Sequence, residues 1–185
     1  MIEFFKDYFT IDSPTVLIGQ IIGIIAMIFS FIVYQQNNRK KMLILKGISN
    51  GFWVIHFFMI GAPAGAVLNF IGIPREFVFY HNDKKWAKNI LWPILFILIT
   101  VVSSLLSWEG AITLLPCIGS VLAVAAFAIR SVKLTRLINI PANTLWLIYV
   151  LITRSYGGAL ANIVILTSIS IAIIRYDIRK EKKEA

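Results

Sequence analysis

The chain has 185 residues, 58% of them hydrophobic and 15% charged, with a net charge of +9 and a mean hydropathy of +0.81. A soluble domain of this size has too little interior to hide so much apolar surface, which places the chain among integral membrane proteins. The positive charge does not point to nucleic acid, because the basic residues fall between apolar spans, as in loops that face anionic lipid.

The first fourteen residues, MIEFFKDYFTIDSP, carry Glu3, Asp7 and Asp12 and lack a basic leading region, so they do not read as a cleaved signal peptide. A spanning helix needs about 20 mostly apolar residues. Seven such segments follow in chain order: 14–35, 42–60, 63–80, 89–107, 110–130, 136–153 and 157–175. The links Gly61-Ala62-Pro63 and Ser107-Trp108-Glu109-Gly110 are short enough to make tight antiparallel hairpins. The third segment is the weakest. Pro74-Arg75-Glu76 interrupts it near one end, where Arg75 is expected to snorkel to the headgroups. Cys117 excludes an intramolecular disulfide and reads as a packing residue.

Lysine and arginine set the orientation. With the N-terminus outside, 16 of the 18 basic residues lie on the inner side, including Lys40, Lys84 and Lys133, and only Lys6 and Arg154 lie outside. The opposite orientation, or an even number of spans, breaks the rule. The expectation is an all-α integral membrane protein of seven helices, N-out and C-in, forming one domain over 1–185.

The chain also repeats. Asn50-x-x-Trp53 recurs as Asn143-x-x-Trp146, and Asn69 recurs as Asn162, all at an offset of 93 residues. Residues 50–80 and 143–173 share six identities, among them Gly65/Gly158 and Ala66/Ala159. The first helix aligns less well, at an offset of 96 that pairs Gly23 with Gly119 and Phe31 with Phe127. Three helices (14–80), a connector (89–107) and three more (110–176) make two units of equal orientation, a parallel repeat. Trp53 and Asn69 each lie eight residues from Gly61, or about 12 Å below the turn at 1.5 Å per residue. Trp146 and Asn162 are spaced equally about Arg154. Two indoles and two amides at one depth suit a small polar solute: rings to stack on it, amides to donate and accept hydrogen bonds. Asn50 and Asn143 would form a second layer one turn toward the cytoplasm. His56, three residues after Trp53, joins the set as a substrate or proton contact. The competing reading is structural, since Asn often glues transmembrane helices together and Trp often marks the interface. No catalytic constellation, metal-ligand spacing or phosphate loop is recognisable, so neither an enzyme nor a cofactor is expected.

The stretch from Val54 to Ala66, with Leu68-Asn69, and the stretch Leu114-Leu115-Pro116-Cys117-Ile118-Gly119 resemble the YgjV-type bacterial inner membrane proteins, over nearly the whole chain. That resemblance implies the inner membrane. The three-plus-one-plus-three plan more distantly resembles the SWEET and SemiSWEET (PQ-loop, MtN3) transporters. It implies a pocket with an aromatic on the second helix and an Asn on the third helix of each unit. Trp53 with Asn69 and Trp146 with Asn162 match this at a spacing of 16. The hinge prolines of those transporters are matched only by Pro141. Vitamin carriers of the PnuC type and cargo receptors share the plan. The expected partners are therefore the bilayer and a small neutral polar solute of sugar, nucleoside or vitamin kind. The alternative is a receptor or assembly protein that keeps the fold without transport.

Overall fold

The computed structural model describes residues 14–59, 63–106, 108, 110–152 and 156–178. Both expected hairpin turns, the N-terminal segment, Arg154 and the basic C-terminal tail have positions outside them, wholly or in part. Among the described residues there are seven α-helices and no strand: α1 Pro14–Tyr34, α2 Arg39–Met59, α3 Pro63–Tyr80, α4 Leu91–Leu106, α5 Leu114–Ala128, α6 Val132–Ile152 and α7 Tyr156–Ala172. A short 3₁₀ turn, Ala111–Thr113, leads into α5, and α7 runs on as a π-helical turn, Ile173–Ile178.

The starts of α2 and α6 lie earlier than apolarity alone places them. Asn38 Oδ1 accepts the amide of Lys41 at 3.1 Å, and Ser131 Oγ accepts that of Leu134 at 3.3 Å. Both are N-caps, and they begin the helix inside the basic stretch. Pro74 and Pro141 sit inside α3 and α6 without ending them.

Helix α1 is built inside out. Its inward positions are Gly19, Gly23, Ala26 and Ser30, while Ile21, Ile24, Ile28 and Ile32 face outward. Large side chains dissolve in lipid, and small ones let backbones approach, as expected of a membrane helix. The approach is close. A Cβ on Gly23 would lie 2.6 Å from His56 Nδ1, and one on Gly72 would lie 2.3 Å from Asn50 Nδ2. Four segments are long and apolar enough to cross a membrane: Pro14–Tyr34, Arg39–Met59, Ala111–Ala128 and Gly158–Ile178. Leu91–Leu106 is a shorter apolar helix. Helix α3 is diluted by Arg75 and Glu76, and α6 by Asn139, Asn143 and Thr144.

Consecutive helices pack within α1–α3 and within α5–α7, and α1 packs against α7. The densest apolar core lies at one end of the bundle. Val33, Tyr34, Met42, Leu43, Phe79 and Phe127 meet there with Val124 and Ile169. At the same end Trp86 and Trp92 meet edge to face at 6.2 Å, beside Phe77 and His81, a cluster with the composition of an interfacial aromatic belt.

A buried polar centre and two arginine clamps

At the core-rich end, helix C-termini converge, and each leaves carbonyls without an intrahelical donor. Two arginines supply donors. Arg39, at the start of α2, donates to Ile129 O (2.9 Å), Phe127 O (2.9 Å) and Phe79 O (2.7 Å). Arg136, in the first turns of α6, donates to Tyr34 O (3.1 Å) and Gln36 O (2.7 Å) and binds both oxygens of Asp177 at 3.0 and 3.2 Å. Arg136 is fully buried, and its charge is balanced by Asp177, which the π-helical turn carries. Arg39 has no carboxylate among these contacts. The negative ends of α3 and α5 take that place.

The accepted carbonyls are related. Tyr34 and Gln36 stand 93 residues before Phe127 and Ile129, the offset that separates Asn50 from Asn143. Each arginine reaches across from one set of three helices to the other. The Tyr34 and Phe127 rings themselves meet at 6.4 Å between centroids. The contacts of α1 with α2 also keep this offset: Ser49 Oγ donates to Ala26 O at 3.3 Å, and a Cβ on Gly119 would lie 2.8 Å from Ala142 O.

One to two turns farther inside lies a polar centre. Arg75 donates Nε and Nη2 to Glu76 Oε1, at 3.2 and 2.7 Å. Arg75 does not snorkel. Its side chain is 12% exposed and that of Glu76 only 2%. The pairing is the reason: a buried Glu76 without a counter-charge costs several kcal/mol, so the guanidinium turns inward, over the Phe127 ring at 6.0 Å. Asn50 Nδ2 and Glu76 Oε2 are buried without a hydrogen-bond partner. Gly72 lies opposite Asn50, and Gly47 opposite Glu76 with 3.8 Å between an added Cβ and the Glu76 Cβ. Lys46, one turn before Asn50, interacts electrostatically with both Glu76 and Arg75. From the other side Tyr34 donates to Asn139 Oδ1 at 3.1 Å, and Asn139 Nδ2 donates to Thr135 O at 2.8 Å.

The residues expected to bind solute are held as follows. Trp53 Nε1 donates to Ser30 Oγ at 3.1 Å, and its ring stacks on Phe57 at 5.5 Å. His56 is buried, with Nδ1 2.8 Å from Gly19 O and its ring edge-on to Trp53. Trp146 packs beside Gly119 and edge-on to Tyr149. Asn143 and Asn162 donate back to the carbonyls of Asn139 (2.7 Å) and Gly158 (2.9 Å) on their own helices. Asn69 is half-buried on α3. Of the set, Asn50 joins the polar centre directly, and Asn143 reaches it beside Tyr34. Lys46, Glu76, Tyr34 and Asn139 lie outside the set of residues expected from the sequence. The signal for Asn139 was its place one turn before Asn143. The signal for Glu76 was an acidic residue beside Arg75 inside an apolar run.

The inverted packing of α1, the charged residues enclosed among apolar helices and the lipid-facing isoleucines define an integral membrane protein. The family described as "Imp-YgjV: Bacterial inner membrane protein" matches residues 17–180, and the chain belongs to that family, which places it in the bacterial inner membrane. No curated protein and no solved structure matches the chain.

Proposed function

We propose that this protein carries a small polar solute across the inner membrane by alternating access between two three-helix units, α1–α3 and α5–α7, with α4 as connector. The observation that carries the reading is the pair of arginine clamps. Each arginine crosses between units, and each grips two carbonyls that correspond at an offset of 93 residues. Hydrogen bonds from a side chain to helix ends can be released and remade without dismantling either unit. The duplicated Asn/Trp layer, Trp53 with Asn69 and Trp146 with Asn162, supplies stacking faces and amides for a neutral polar solute. Asn50 and Asn143 extend it toward the clamps. The SWEET-like plan, with all seven helices spanning and the clamp end cytoplasmic, belongs to this proposal.

A second reading rests on a specific observation. Trp53 and His56 are bonded within the first unit, and Asn143 and Asn162 are bonded to their own helices. Side chains satisfied in this way serve as helix glue in a receptor or assembly protein. A thermal-shift screen of the purified protein against sugars, nucleosides and vitamins, followed by uptake of any stabilising compound into proteoliposomes, separates the two. Uptake that is lost in Trp53→Ala supports the carrier. Binding without uptake supports the receptor.

A further inference from the structure

We infer that the polar centre formed by Lys46, Asn50 and Arg75 is a docking site for a carboxylate. The two clamp arginines are balanced, one by Asp177 and one by helix ends. Arg75 and Glu76 balance each other. Lys46 makes no ion pair among the described residues, yet it lies within electrostatic reach of that pair, which leaves the centre with one excess positive charge. In a low-dielectric setting an unbalanced charge is costly, and a bound monoanion removes the cost.

Hydrogen-bond capacity points the same way. Asn50 Nδ2 is a buried donor with no acceptor. Arg75 uses Nε and Nη2 on Glu76 Oε1, and its Nη1 makes no hydrogen bond among the described residues. Lys46 adds three donors. The free Glu76 Oε2 is one acceptor against this surplus. A carboxylate presents two oxygens with about four acceptor sites and matches a planar guanidinium in a two-pronged contact, which a neutral hydroxyl cannot do. Gly72 lets the Asn50 amide pack against α3 beside Arg75: a Cβ there would clash with Asn50 Nδ2 and lie 3.6 Å from Arg75 Nη2. Lys46 and Asn50 share one face of α2, four residues apart, and Asn50 Nδ2 and Arg75 Nη2 both flank Gly72 on α3. Solvent reaches neither Asn50 Nδ2 nor Glu76 Oε2, so a ligand arrives only when the units part. In this respect the inference rests on the carrier reading. In place of the neutral solute of that reading it gives one with an acid group, held one to two turns below the Trp layer that takes its uncharged polar part.

The test is calorimetric titration of the full chain in detergent with sodium acetate, lactate and gluconate. Propane-1,2-diol and glucose serve as neutral counterparts, and sodium chloride holds ionic strength constant. At least one carboxylate is expected to bind while its neutral counterpart does not. Lys46→Gln, which leaves the Arg75–Glu76 pair whole, should weaken binding by about tenfold to a hundredfold, the equivalent of one charge-assisted hydrogen bond. Arg75→Gln alone strands Glu76, so the double variant Arg75→Gln/Glu76→Gln is the companion, with a similar loss. Lys41→Gln, an exposed charge change on the same helix, should leave binding unchanged. No binding by any carboxylate, or binding that both variants leave intact, overturns the site. Tight binding of glucose but not gluconate also overturns it and leaves the carrier reading standing. Gluconate binding without uptake into proteoliposomes upholds the site and removes the carrier.

Discussion

Glycines decide how closely the helices of the first unit approach. Gly72 faces a buried amide that has no room to retreat, so Gly72→Ala drives Asn50 from its place. Overpacking of this kind costs about 1–3 kcal/mol. The melting temperature should fall in Gly72→Ala and recover in part in Gly72→Ala/Asn50→Ala, because the second change empties the volume that the first overfills. A melting temperature in the double variant that is lower still would mean that Asn50 supports the fold independently. Gly23 under His56 is a parallel case, with Nδ1 as the obstacle. Some of this was legible from residues alone: Asn50, Asn143 and His56 stood out as polar groups in apolar helices, and the structure buries Asn50 and His56. The partners were not legible. Whether an Asn amide turns back to its own helix, as Asn162 does, or faces a neighbour, as Asn50 does, depends on what the adjacent helix presents one turn away. Helical spacing along a single helix carries no such information.

At the scale of elements, seven helices were readable as apolar runs, though among the described residues only four segments are long and apolar enough to cross a membrane. Their starts were not, because α2 and α6 begin at polar caps, Asn38 and Ser131, ahead of the apolar run. The same displacement puts Arg39 inside a helix and Arg136 one turn deep in one, where they act as clamps instead of loop charges. The two clamps should differ in cost. Arg136→Met leaves Asp177 buried without a counter-charge, a loss of about 3–5 kcal/mol. Arg39→Met strands carbonyls at the ends of α3 and α5, each worth about 1–3 kcal/mol if it stays unsatisfied, and its half-buried position lets water take over part of the role. Thermal unfolding should therefore rank Arg136→Met below Arg39→Met, and Arg136→Met/Asp177→Asn should regain part of the loss. Equal melting temperatures for the two single variants would show that Asp177 does not depend on Arg136.

For the molecule as a whole, lysine and arginine counts predict an orientation, with the clamp end in the cytoplasm. On a Cys117→Ala background, single cysteines at positions 40, 84 and 133 should react with a membrane-impermeant maleimide only after the inner membrane is opened. Labelling of position 40 in intact spheroplasts would reverse the orientation. The repeat was legible as an offset of 93 residues in Asn and Trp, but its alignment for the first helix, at 96, rested on Gly23/Gly119 and Phe31/Phe127. The packing of Ala26 against Ser49 and of Gly119 against Ala142 keeps 93 instead. Small residues occur all along such helices, so a glycine match fixes register less firmly than a contact does.

The proposed carrier requires that α1–α3 and α5–α7 part and close at the clamp end. The most direct measurement is the distance between spin labels at positions 41 and 134, on the exposed starts of α2 and α6, by pulsed electron resonance of the Cys117→Ala protein in lipid nanodiscs. Two distance populations are expected, the shorter matching the clamped arrangement, with Arg39→Met/Arg136→Met moving weight to the longer. A single narrow distance, unchanged by loss of both arginines, would contradict it.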